Sequence, residues 1–282
     1  MKLNPSKSIV SGARILITGG ARGMGALYAR QAAARGASTI VLWDVDEPAA
    51  QKLSDELTSP STRVEICTSD LSDFQEVQQG AAQIRDLIGH PDILINNAGI
   101  VRGAPFWEHD PQRDISAIMT VNALSPMWIT REFLPDMIAR KAREKRVLNI
   151  ASAAGTLANP NMSVYAASKW ALIGWSDSVR LELAQHGHSH VKITTFCPSY
   201  VSTGMFAGAR GPLLTPILSP QEAARAAWNG MIVGQPLVTK PWTVKFAMAV
   251  RGVLPTAAWD VTADKLFKVY SSMDNFSGHS GT

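Results

Sequence analysis

The feature that most constrains the fold of this chain is an alternation of short, apolar, β-branched runs with helical segments. Six such runs lie between residues 14 and 198: RILITGG (14–20), TIVLWD (39–44), RVEICTSD (63–70), DILINNAG (92–99), RVLNIAS (146–152) and VKITTFCP (191–198). Several of them are apolar almost throughout, which is typical of parallel strands buried on both faces. The pattern therefore predicts an α/β fold in which helices cover both faces of a doubly wound parallel sheet.

Length and composition favour one domain with an added tail. The 282 residues are 46% hydrophobic and 18% charged, which provides enough apolar material for one large core. We predict a single domain over residues 10–240. Within it we expect a substrate lid over about 203–219, where Gly, Pro and Leu are frequent. Residues 241–282 are predicted to form an apolar, helical tail that packs on the domain or on a partner subunit.

Charge and hydropathy bear on the classes of partner. A net charge of +4 argues against nucleic acid, which requires cations concentrated on one face. The densest basic cluster, RKAREKR (140–146), also contains Glu144, so we interpret it as a solvated helix end. No stretch reaches the roughly 20 apolar residues of a membrane span, and the first ten residues lack the apolar region of a secretory signal. We therefore expect a cytoplasmic protein without a membrane span.

Three smaller features have simple interpretations. The most apolar helical segment, VKFAMAVRGVLP (244–255), is interrupted by two basic residues. It could lie on a bilayer surface, but a helix that closes a pocket or a subunit interface is favoured. Cys67 and Cys197 are too few for a disulfide framework and are predicted to be buried free thiols. The segment HGHSH (186–190) lacks nearby cysteine or acidic ligands at metal spacing, so we predict a turn and no metal site.

A glycine-rich turn follows the first predicted strand. In parallel α/β sheets, ligands bind beyond the carboxyl ends of the strands, near the point where the strand order reverses. Gly19, Gly23 and Gly25 lead from the first run into a helical segment, an arrangement that directs backbone N–H groups and a helix N-terminus at a diphosphate. A tight connection without a ligand is the alternative, which the position after the first strand disfavours.

Asp44 ends the second run and bears on the choice of dinucleotide. A carboxylate there can accept hydrogen bonds from both ribose hydroxyls of NAD, whereas the 2′-phosphate of NADP would meet a like charge. The sequence therefore favours NAD over NADP. Two alternatives stay open: Asp44 could cap the helix that begins near Glu47, and Arg22 leaves some room for a phosphate.

Tyr165 and Lys169 are four residues apart, so they share one face of a helix. A tyrosine has an ordinary pKa of about 10, and bringing it to about 7 needs roughly 4 kcal/mol of selective phenolate stabilisation. A nearby ammonium and a positive nicotinamide ring are suitable sources of that stabilisation. Ser152 ends the fifth run, where its hydroxyl could share a substrate oxygen or cap a turn. Asn122 lies in a predicted helical segment, where its amide could bridge polar backbone and water.

Together these residues carry a family resemblance. In order and spacing, TGGARGMG (18–25), Asp70–Leu71, NNAG (96–99), Asn122, Ser152, YAASK (165–169) and PSYVSTGM (198–205) resemble the short-chain dehydrogenase/reductase family. The resemblance covers roughly residues 10–205. It implies a single Rossmann-type domain and reversible hydride transfer between a nicotinamide cofactor and an alcohol or carbonyl carbon.

The resemblance also implies roles for individual residues. Tyr165 would be the general acid/base, and Ser152 would polarise the substrate oxygen. Lys169 would lower the tyrosine pKa and hold the nicotinamide ribose, while Asn122 would anchor a water in a proton relay. Asp70 would meet the adenine. The full set expected to bind the cofactor is Gly19, Arg22, Gly23, Met24, Gly25, Asp44, Asp70, Leu71, Asn97, Ala98, Gly99, Tyr165, Lys169, Pro198, Val201 and Thr203.

The carboxyl-terminal part departs from the common family pattern. Many members finish with a strand and a DGG-like turn, whereas this chain continues through PLVTKPWTVKFAMAVRGVLP (236–255). This tail, with LWDVDE (42–47) and STGMF (202–206), loosely resembles the branch of retinol and 17β-hydroxysteroid dehydrogenases. Family members usually form dimers or tetramers, so a homo-oligomer, and specifically a homotetramer, is expected. The helix that holds Trp170, Leu172 and Trp175 is a candidate interface, or simply core.

The expected substrate is a bulky, hydrophobic secondary alcohol or ketone of the steroid, retinoid or aryl type. Apolar side chains that could form the pocket walls occur in the lid and after the fourth strand: Phe106, Trp107, Met205, Phe206, Leu213, Leu214, Ile217 and Leu218. Packing of the lid itself is the alternative role for about half of them. Arg102 and Arg210 remain candidates for binding a carboxylate. Besides an NAD-dependent oxidoreductase, we weigh an inactive dinucleotide-binding regulatory or scaffold protein, and an enzyme of the same fold that performs dehydration or epimerisation.

Overall fold

The computed structural model describes residues 9–206, 208, 211–212, 215–273, 276 and 278. Its centre is a parallel sheet of seven strands in the order β3-β2-β1-β4-β5-β6-β7. The strands are β1 Arg14–Thr18, β2 Thr39–Trp43, β3 Arg63–Cys67, β4 Ile93–Asn96, β5 Lys145–Ile150, β6 Val191–Pro198 and β7 Leu237–Lys240. The predicted doubly wound, Rossmann-type sheet is confirmed. Its strand order reverses between β1 and β4, so the ligand edge is the carboxyl end of these two strands.

Helices cover both faces of the sheet, as the apolar strands require. They are α1 Gly23–Ala34, α2 Glu47–Leu57, α3 Phe74–Ile88, α4 Ser125–Ala139, α5 Ser163–Gln185, α6 Pro220–Val233, α7 Trp242–Val253 and α8 Thr256–Val261. Apolar side chains from α1, α2 and α6 build the core on one face, and those from α3, α4 and α5 build it on the other. Two π-helical stretches, Pro111–Ser116 and Thr120–Leu124, precede α4. Helices α7 and α8 form the helical carboxyl-terminal part.

Strand β7 is absent from the predicted element order. It pairs in parallel with β6, where Leu237 is in register with Thr195. The sequence LVTK is too short to display a periodicity of its own, and its pairing partner lies about 40 residues earlier in the chain. The chain therefore keeps a strand at the place where the sequence pattern indicated a departure from the family.

The basic cluster at residues 140–146 is only partly a helix end. Lys145 and Arg146 open β5, and their side chains are buried. The Lys145 ammonium donates to Asp92 Oδ1 at 2.6 Å. The Arg146 guanidinium donates to the main-chain oxygens of Met231 and Ile232, in the last turn of α6, where unpaired carbonyls favour a cation. The interpretation of the whole cluster as solvated is wrong for these two residues.

Two smaller predictions agree with the structure. Cys67 and Cys197 are buried free thiols. The segment 186–190 forms the turn between α5 and β6. Within the part of the chain that the structure describes, no helix combines the length and the apolar character needed to cross a bilayer.

Candidate active site

The glycine turn after β1 forms the first part of the site. Gly19 and Gly23 adopt left-handed φ angles of +59° and +54°, which side chains with a Cβ rarely adopt. A Cβ on Gly25 would lie 1.9 Å from the carbonyl oxygen of Gly19, so this close approach of strand and helix requires glycine. A Cβ on Gly23, by contrast, would meet no atom of the described chain within 4 Å. The turn thus leaves open space beside the N-terminus of α1.

The N-terminus of α1 keeps its backbone N–H groups available. Its N-cap residue, Arg22, makes no side-chain capping hydrogen bond. The helices α2, α3 and α6, by contrast, are capped by the side chains of Asp46, Asp73 and Ser219. Free N–H groups and the positive end of the helix dipole suit a diphosphate. These residues therefore fit the dinucleotide that the sequence predicts.

Asp44 lies directly beyond β2, with its carboxylate held by two backbone N–H groups. Oδ2 accepts from Ala21 N at 2.9 Å and Oδ1 accepts from Asp46 N at 3.0 Å. The carboxylate is thus fixed beside the glycine turn. The cap of α2 is Asp46, so the alternative role of Asp44 as that cap is wrong. Arg22 forms an ion pair with Asp46.

The residues that follow β4 form hydrogen bonds with the glycine turn that follows β1, across the point where the strand order reverses. The Asn97 amide donates to the main-chain oxygens of Thr18 and Gly19, at 3.1 and 2.9 Å. Gly99 passes close to two predicted catalytic residues, because a Cβ there would lie 3.2 Å from Asn122 Oδ1 and 3.5 Å from Lys169 Nζ. The motif NNAG therefore connects the predicted cofactor turn to the predicted reacting centre.

Tyr165 and Lys169 lie in the first two turns of α5, and both side chains are buried. Lys169 Nζ donates to the main-chain oxygen of Ile150, at the end of β5, at 2.9 Å. It also lies 5.7 Å from the centroid of the Tyr165 ring. Ser152 follows β5 by two residues, and its hydroxyl accepts from Ala154 N at 3.1 Å. The strand end and the helix thus bring all three predicted residues together.

Burial opposes the charged form of both titratable groups. It raises the pKa of Tyr165 above its ordinary value of 10, and a hydrogen bond with Ser152 offsets this only in part. It lowers the pKa of Lys169 from 10.5 to about 8. Cys197 is buried close to Tyr165 and Lys169. Burial raises the pKa of its thiol to about 12, so the thiol is not reactive near neutral pH. The phenolate therefore needs more stabilisation than the sequence-based figure of roughly 4 kcal/mol.

Asn122 lies in the second π-helical stretch and is fully buried. Its Oδ1 accepts from Ile100 N at 2.8 Å. Its Nδ2 donates to the main-chain oxygen of Ile100 at 2.8 Å and to the hydroxyl of Ser168 at 3.1 Å. Both amide hydrogens are therefore committed to protein partners. A water at this residue would have to bind the main-chain carbonyl or the remaining lone pair of Oδ1.

One cavity contains most of the residues predicted to bind cofactor. Its walls include Gly19, Arg22, Gly23, Met24, Asn97, Ala98, Gly99, Ser152, Tyr165, Lys169, Pro198, Val201 and Thr203. The other predicted residues lie outside these walls. Gly25 is buried within the turn, Asp44 and Asp70 lie beyond the ends of the neighbouring strands, and the Leu71 side chain is buried in the core. Asp70 is exposed, and its Oδ1 accepts from Ser72 N at 2.8 Å.

A second, mostly apolar cavity adjoins the first. Its empty space, including open solvent at the mouth, is about 930 Å³. The two cavities share Ser152, Ser199 and Phe206 in their walls. The carboxyl-terminal part contributes Trp242, Thr243, Val244, Phe246, Ala247, Trp259, Phe267 and Val269. Helix α7 is thus a wall of this cavity, one of the two roles that its apolar sequence favoured.

The loop that was predicted to form a lid, at about 203–219, supplies only part of the predicted apolar wall. Backbone hydrogen bonds from Leu218 N to Tyr200 O and from Ser202 N to Leu218 O close its base. Phe206 lines both cavities and Met205 lines the cofactor cavity, whereas Ile217 is half exposed and Leu218 packs in the core. Leu213, Leu214 and Arg210 lie outside the described residues.

Two residues predicted for the pocket wall are elsewhere. Phe106 and Trp107 begin a short 3₁₀ turn after β4 and are 59% and 84% exposed, so their assignment to the wall is wrong. Proximity to a strand end suggested the wall, but this turn directs both rings to solvent. Arg102 forms an ion pair with Asp114 at 3.3 Å.

A polar cluster that the sequence did not suggest joins the tail to the apolar cavity. The Asn159 amide donates to the Tyr200 hydroxyl at 3.0 Å and to the Ser272 hydroxyl at 3.1 Å, and the two hydroxyls are 2.8 Å apart. Tyr200 and Tyr165 both pack edge-on against Phe206. The three polar residues are widely separated in sequence, so no local pattern could have revealed the cluster.

Comparison with known proteins identifies the family. Residues 13–212 match the sequence profile described as "short chain dehydrogenase". The chain belongs to the short-chain dehydrogenase family. It is 34% identical to mouse (Mus musculus) epidermal retinol dehydrogenase 2 over 274 residues, which covers 95% of this chain and 86% of that protein. It is 32% identical to human (Homo sapiens) estradiol 17-beta-dehydrogenase 11 over 247 residues, covering 87% and 80% of the two chains.

Solved structures of short-chain dehydrogenases share the fold. A family member from Burkholderia phymatum, in complex with NAD, superposes with a TM-score of 0.77 at 25% identity and covers 86% of this chain and 94% of its own. A metagenomic short-chain oxidoreductase, in complex with NADP, gives a TM-score of 0.64 at 29% identity and covers 77% and 89%. The predicted resemblance to the retinol and 17β-hydroxysteroid dehydrogenase branch is confirmed. The chain is an oxidoreductase, and its general reaction is the interconversion of alcohol and carbonyl groups.

Proposed function

We propose that this short-chain dehydrogenase uses NAD(H) to interconvert a bulky, hydrophobic secondary alcohol and its ketone. The observation that carries the proposal is the position of Ser152 in the walls of both cavities, beside Tyr165. A substrate in the apolar cavity would present its oxygen at the junction, where the cofactor cavity begins. Among its relatives, the estradiol 17-beta-dehydrogenase supports a steroid that carries a secondary alcohol, and the retinol dehydrogenase supports a bulky, apolar substrate.

In this mechanism the chain holds the substrate oxygen and moves one proton. Ser152 Oγ and the Tyr165 hydroxyl bind the oxygen; the phenolate of Tyr165 takes the alcohol proton during oxidation, and the phenol returns it during reduction. When bound, an oxidised nicotinamide dinucleotide would supply the acceptor for the carbon-bound hydrogen and a positive charge near the phenol. Lys169 adds a buried positive charge, and the low-dielectric surroundings strengthen each of these interactions.

The acid/base role of Tyr165 is tested by Tyr165→Phe, with Tyr200→Phe as the matched control. Both changes remove a phenol hydroxyl at the two cavities, but only the first removes the proposed proton carrier. We expect Tyr165→Phe to lower kcat by at least about 10²-fold while NADH fluorescence titration gives nearly unchanged affinity. Tyr200→Phe should act mainly on KM. A Tyr165→Phe variant with near-parental kcat would refute the mechanism.

The preference for NAD rests on the charges beside the glycine turn. The Asp44 carboxylate is held beside the glycine turn by two backbone N–H groups, and Arg22 is paired with Asp46. We expect this carboxylate to accept hydrogen bonds from the ribose hydroxyls of NAD. Asp44→Ala should raise the KM for NAD about tenfold or more and change the KM for NADP far less. Asp46→Ala, which releases Arg22, should instead improve NADP use. Equal effects of Asp44→Ala on both cofactors would contradict the assignment.

The substrate class is tested with a panel of steroids, retinoids, aryl ketones and short aliphatic alcohols, followed by NADH absorbance. Because the walls of the second cavity are mostly apolar, kcat/KM should rise with the apolar surface of the substrate. A preference for short aliphatic alcohols would contradict the proposed class. Turnover of any member by the Tyr165→Phe variant at the parental rate would point to a different acid/base.

The quaternary structure and location remain expectations. Trp170 on α5 is 43% exposed, with the Arg251 guanidinium 4.8 Å from the centroid of its ring, whereas Leu172 is buried. A homo-oligomer in the cytoplasm is what we expect. Light scattering of the purified chain and fractionation of the producing cell are the measurements that check it.

A further inference from the structure

Residues 152–156, which we call the serine turn, form one short 3₁₀ turn together with its two caps. Ala154 N donates to Ser152 Oγ at 3.1 Å, and Gly155 N donates to the main-chain oxygen of Ser152 at 3.0 Å. The turn packs closely on α5, because a Cβ on Gly155 would lie 2.8 Å from the main-chain carbonyl of Lys169. The position of the Ser152 hydroxyl therefore depends on the position of this turn.

Arg251 of α7 forms a hydrogen bond with the last residue of the serine turn. Its Nη1 donates to the main-chain oxygen of Thr156, a buried residue, at 2.7 Å. The backbone N–H and the hydroxyl of Thr156 both donate to the main-chain oxygen of Ala153, at 2.9 and 2.7 Å. The Arg251 guanidinium also lies 4.8 Å from the centroid of the Trp170 ring on α5. One side chain of α7 thus joins the serine turn to the helix that carries the proposed acid/base.

A separate apolar contact attaches the carboxyl-terminal part to the same region. Leu157, which follows the serine turn, is buried in a cluster with Trp259 and Ala263. The attachment of α7 and α8 therefore does not rest on Arg251 alone. The hydrogen bond of Arg251, by contrast, acts on the serine turn itself, and a charged donor makes it stronger than a bond between neutral groups.

We propose that Arg251 is a positioning residue for Ser152, whose hydroxyl it holds at the junction of the two cavities by fixing the far end of the serine turn. The inference rests on the proposed function, in which Ser152 Oγ binds the substrate oxygen. A displacement of about 1 Å at a reacting group can lower a rate about 10²-fold, so a restraint on this turn bears directly on the chemistry. Helix α7 would then contribute to the reacting centre as well as to the wall of the apolar cavity.

The test is a double-mutant cycle between Arg251 and Ser152. Single-turnover NADH formation is measured with saturating NAD and excess enzyme, so that slow variants remain measurable, on the alcohol of the panel that the parent oxidises fastest. Arg251→Met should lower this rate about tenfold. In a Ser152→Ala background the same change should cause little further loss, because the hydroxyl that Arg251 positions is already absent. A residue that only supported the fold would lower the rate by the same factor in both backgrounds.

Two further variants and one binding measurement control the cycle. Lys245→Met, at an exposed lysine of the same helix, should leave the rate unchanged. Arg251→Lys keeps a cation but loses the planar fork and its stacking on Trp170, so its rate should lie between those of the parent and Arg251→Met. NADH affinity should be the same in the parent and in Arg251→Met, because Arg251 is not among the described residues that line the cofactor cavity.

The outcomes separate this inference from the proposed function. A parental rate in Arg251→Met, or an equal loss from that change in both backgrounds, would overturn the positioning role. A parental rate in Ser152→Ala alone would instead contradict the proposed function. Urea unfolding checks that each variant is folded, and the same cycle with Arg251→Lys decides the question if Arg251→Met is not.

Discussion

The buried amine of Lys169 should cost the ligand-free protein stability. Its side chain is almost completely buried, and burial lowers its pKa from 10.5 to about 8. That difference corresponds to about 3 kcal/mol, because each factor of ten in a protonation equilibrium is about 1.4 kcal/mol. The unfolded chain binds a proton at this lysine more tightly than the folded chain does. Stability is therefore reduced below about pH 8 and recovers as the pH rises from about 8 to about 10.5.

Replacing the amine by an uncharged side chain of similar length should remove this cost. Lys169→Met leaves the main-chain oxygen of Ile150 without its donor, which costs about 1 kcal/mol. The variant should therefore be about 2 kcal/mol more stable than the parent near pH 7, and this advantage should vanish near pH 10. Urea unfolding of both ligand-free proteins at the two pH values measures the difference. Lys52→Met, at an exposed lysine of α2, is the control and should change little.

The gain in stability should accompany a loss of turnover, because the buried positive charge beside Tyr165 is removed. A Lys169→Met variant that is less stable than the parent near pH 7 would refute the reasoning. A stability difference that does not depend on pH would refute it equally, since the proton linkage would then have no part in the effect.

Two further changes test the glycine turn and the buried ion pair. Gly25→Ala places a Cβ 1.9 Å from the carbonyl oxygen of Gly19, so dinucleotide binding should be lost; NADH fluorescence titration measures it, and near-parental affinity would contradict the geometry. Asp92→Asn leaves the Lys145 ammonium buried without its counter-charge and should lower the free energy of unfolding by about 3 kcal/mol in urea titrations. Adding Lys145→Met to Asp92→Asn should restore part of that loss, and no recovery would show that the orphaned charge is not the cause.

The sheet was predictable because its strands are apolar on both faces and therefore form continuous runs in the sequence. The runs extend past the observed strands at their ends, where polar residues such as Asp44 and Ser152 follow directly. That excess is informative, because the residues just beyond the carboxyl ends of the strands build the site. Strand β7 escaped notice because four residues carry too little periodicity, and only its pairing with β6 defines it.

The parts that were not predicted depend on contacts between distant segments. The charge pattern at 140–146 resembles a solvated helix end unless Asp92, 53 residues earlier than Lys145, is known to lie beside it. The same holds for the cluster of Asn159, Tyr200 and Ser272, whose members are up to 113 residues apart. Phe106 and Trp107 show the opposite error, since closeness to a strand end in sequence did not place them in the wall. The sequence therefore predicted the residues at the strand ends better than it predicted the walls of the pocket around them.

Burial of the reacting residues connects the stability of this enzyme to its chemistry. In solution a tyrosine and a lysine four residues apart would be a weakly interacting pair on a helix surface. Here both are enclosed by the ends of β4, β5 and β6, and burial disfavours a charge on either one. The same low-dielectric surroundings make each remaining interaction with Tyr165 stronger than it would be in water. The pKa of the Tyr165 hydroxyl should therefore change strongly when a charge nearby changes. The same burial that has this effect on Tyr165 also makes the Lys169 ammonium costly for stability.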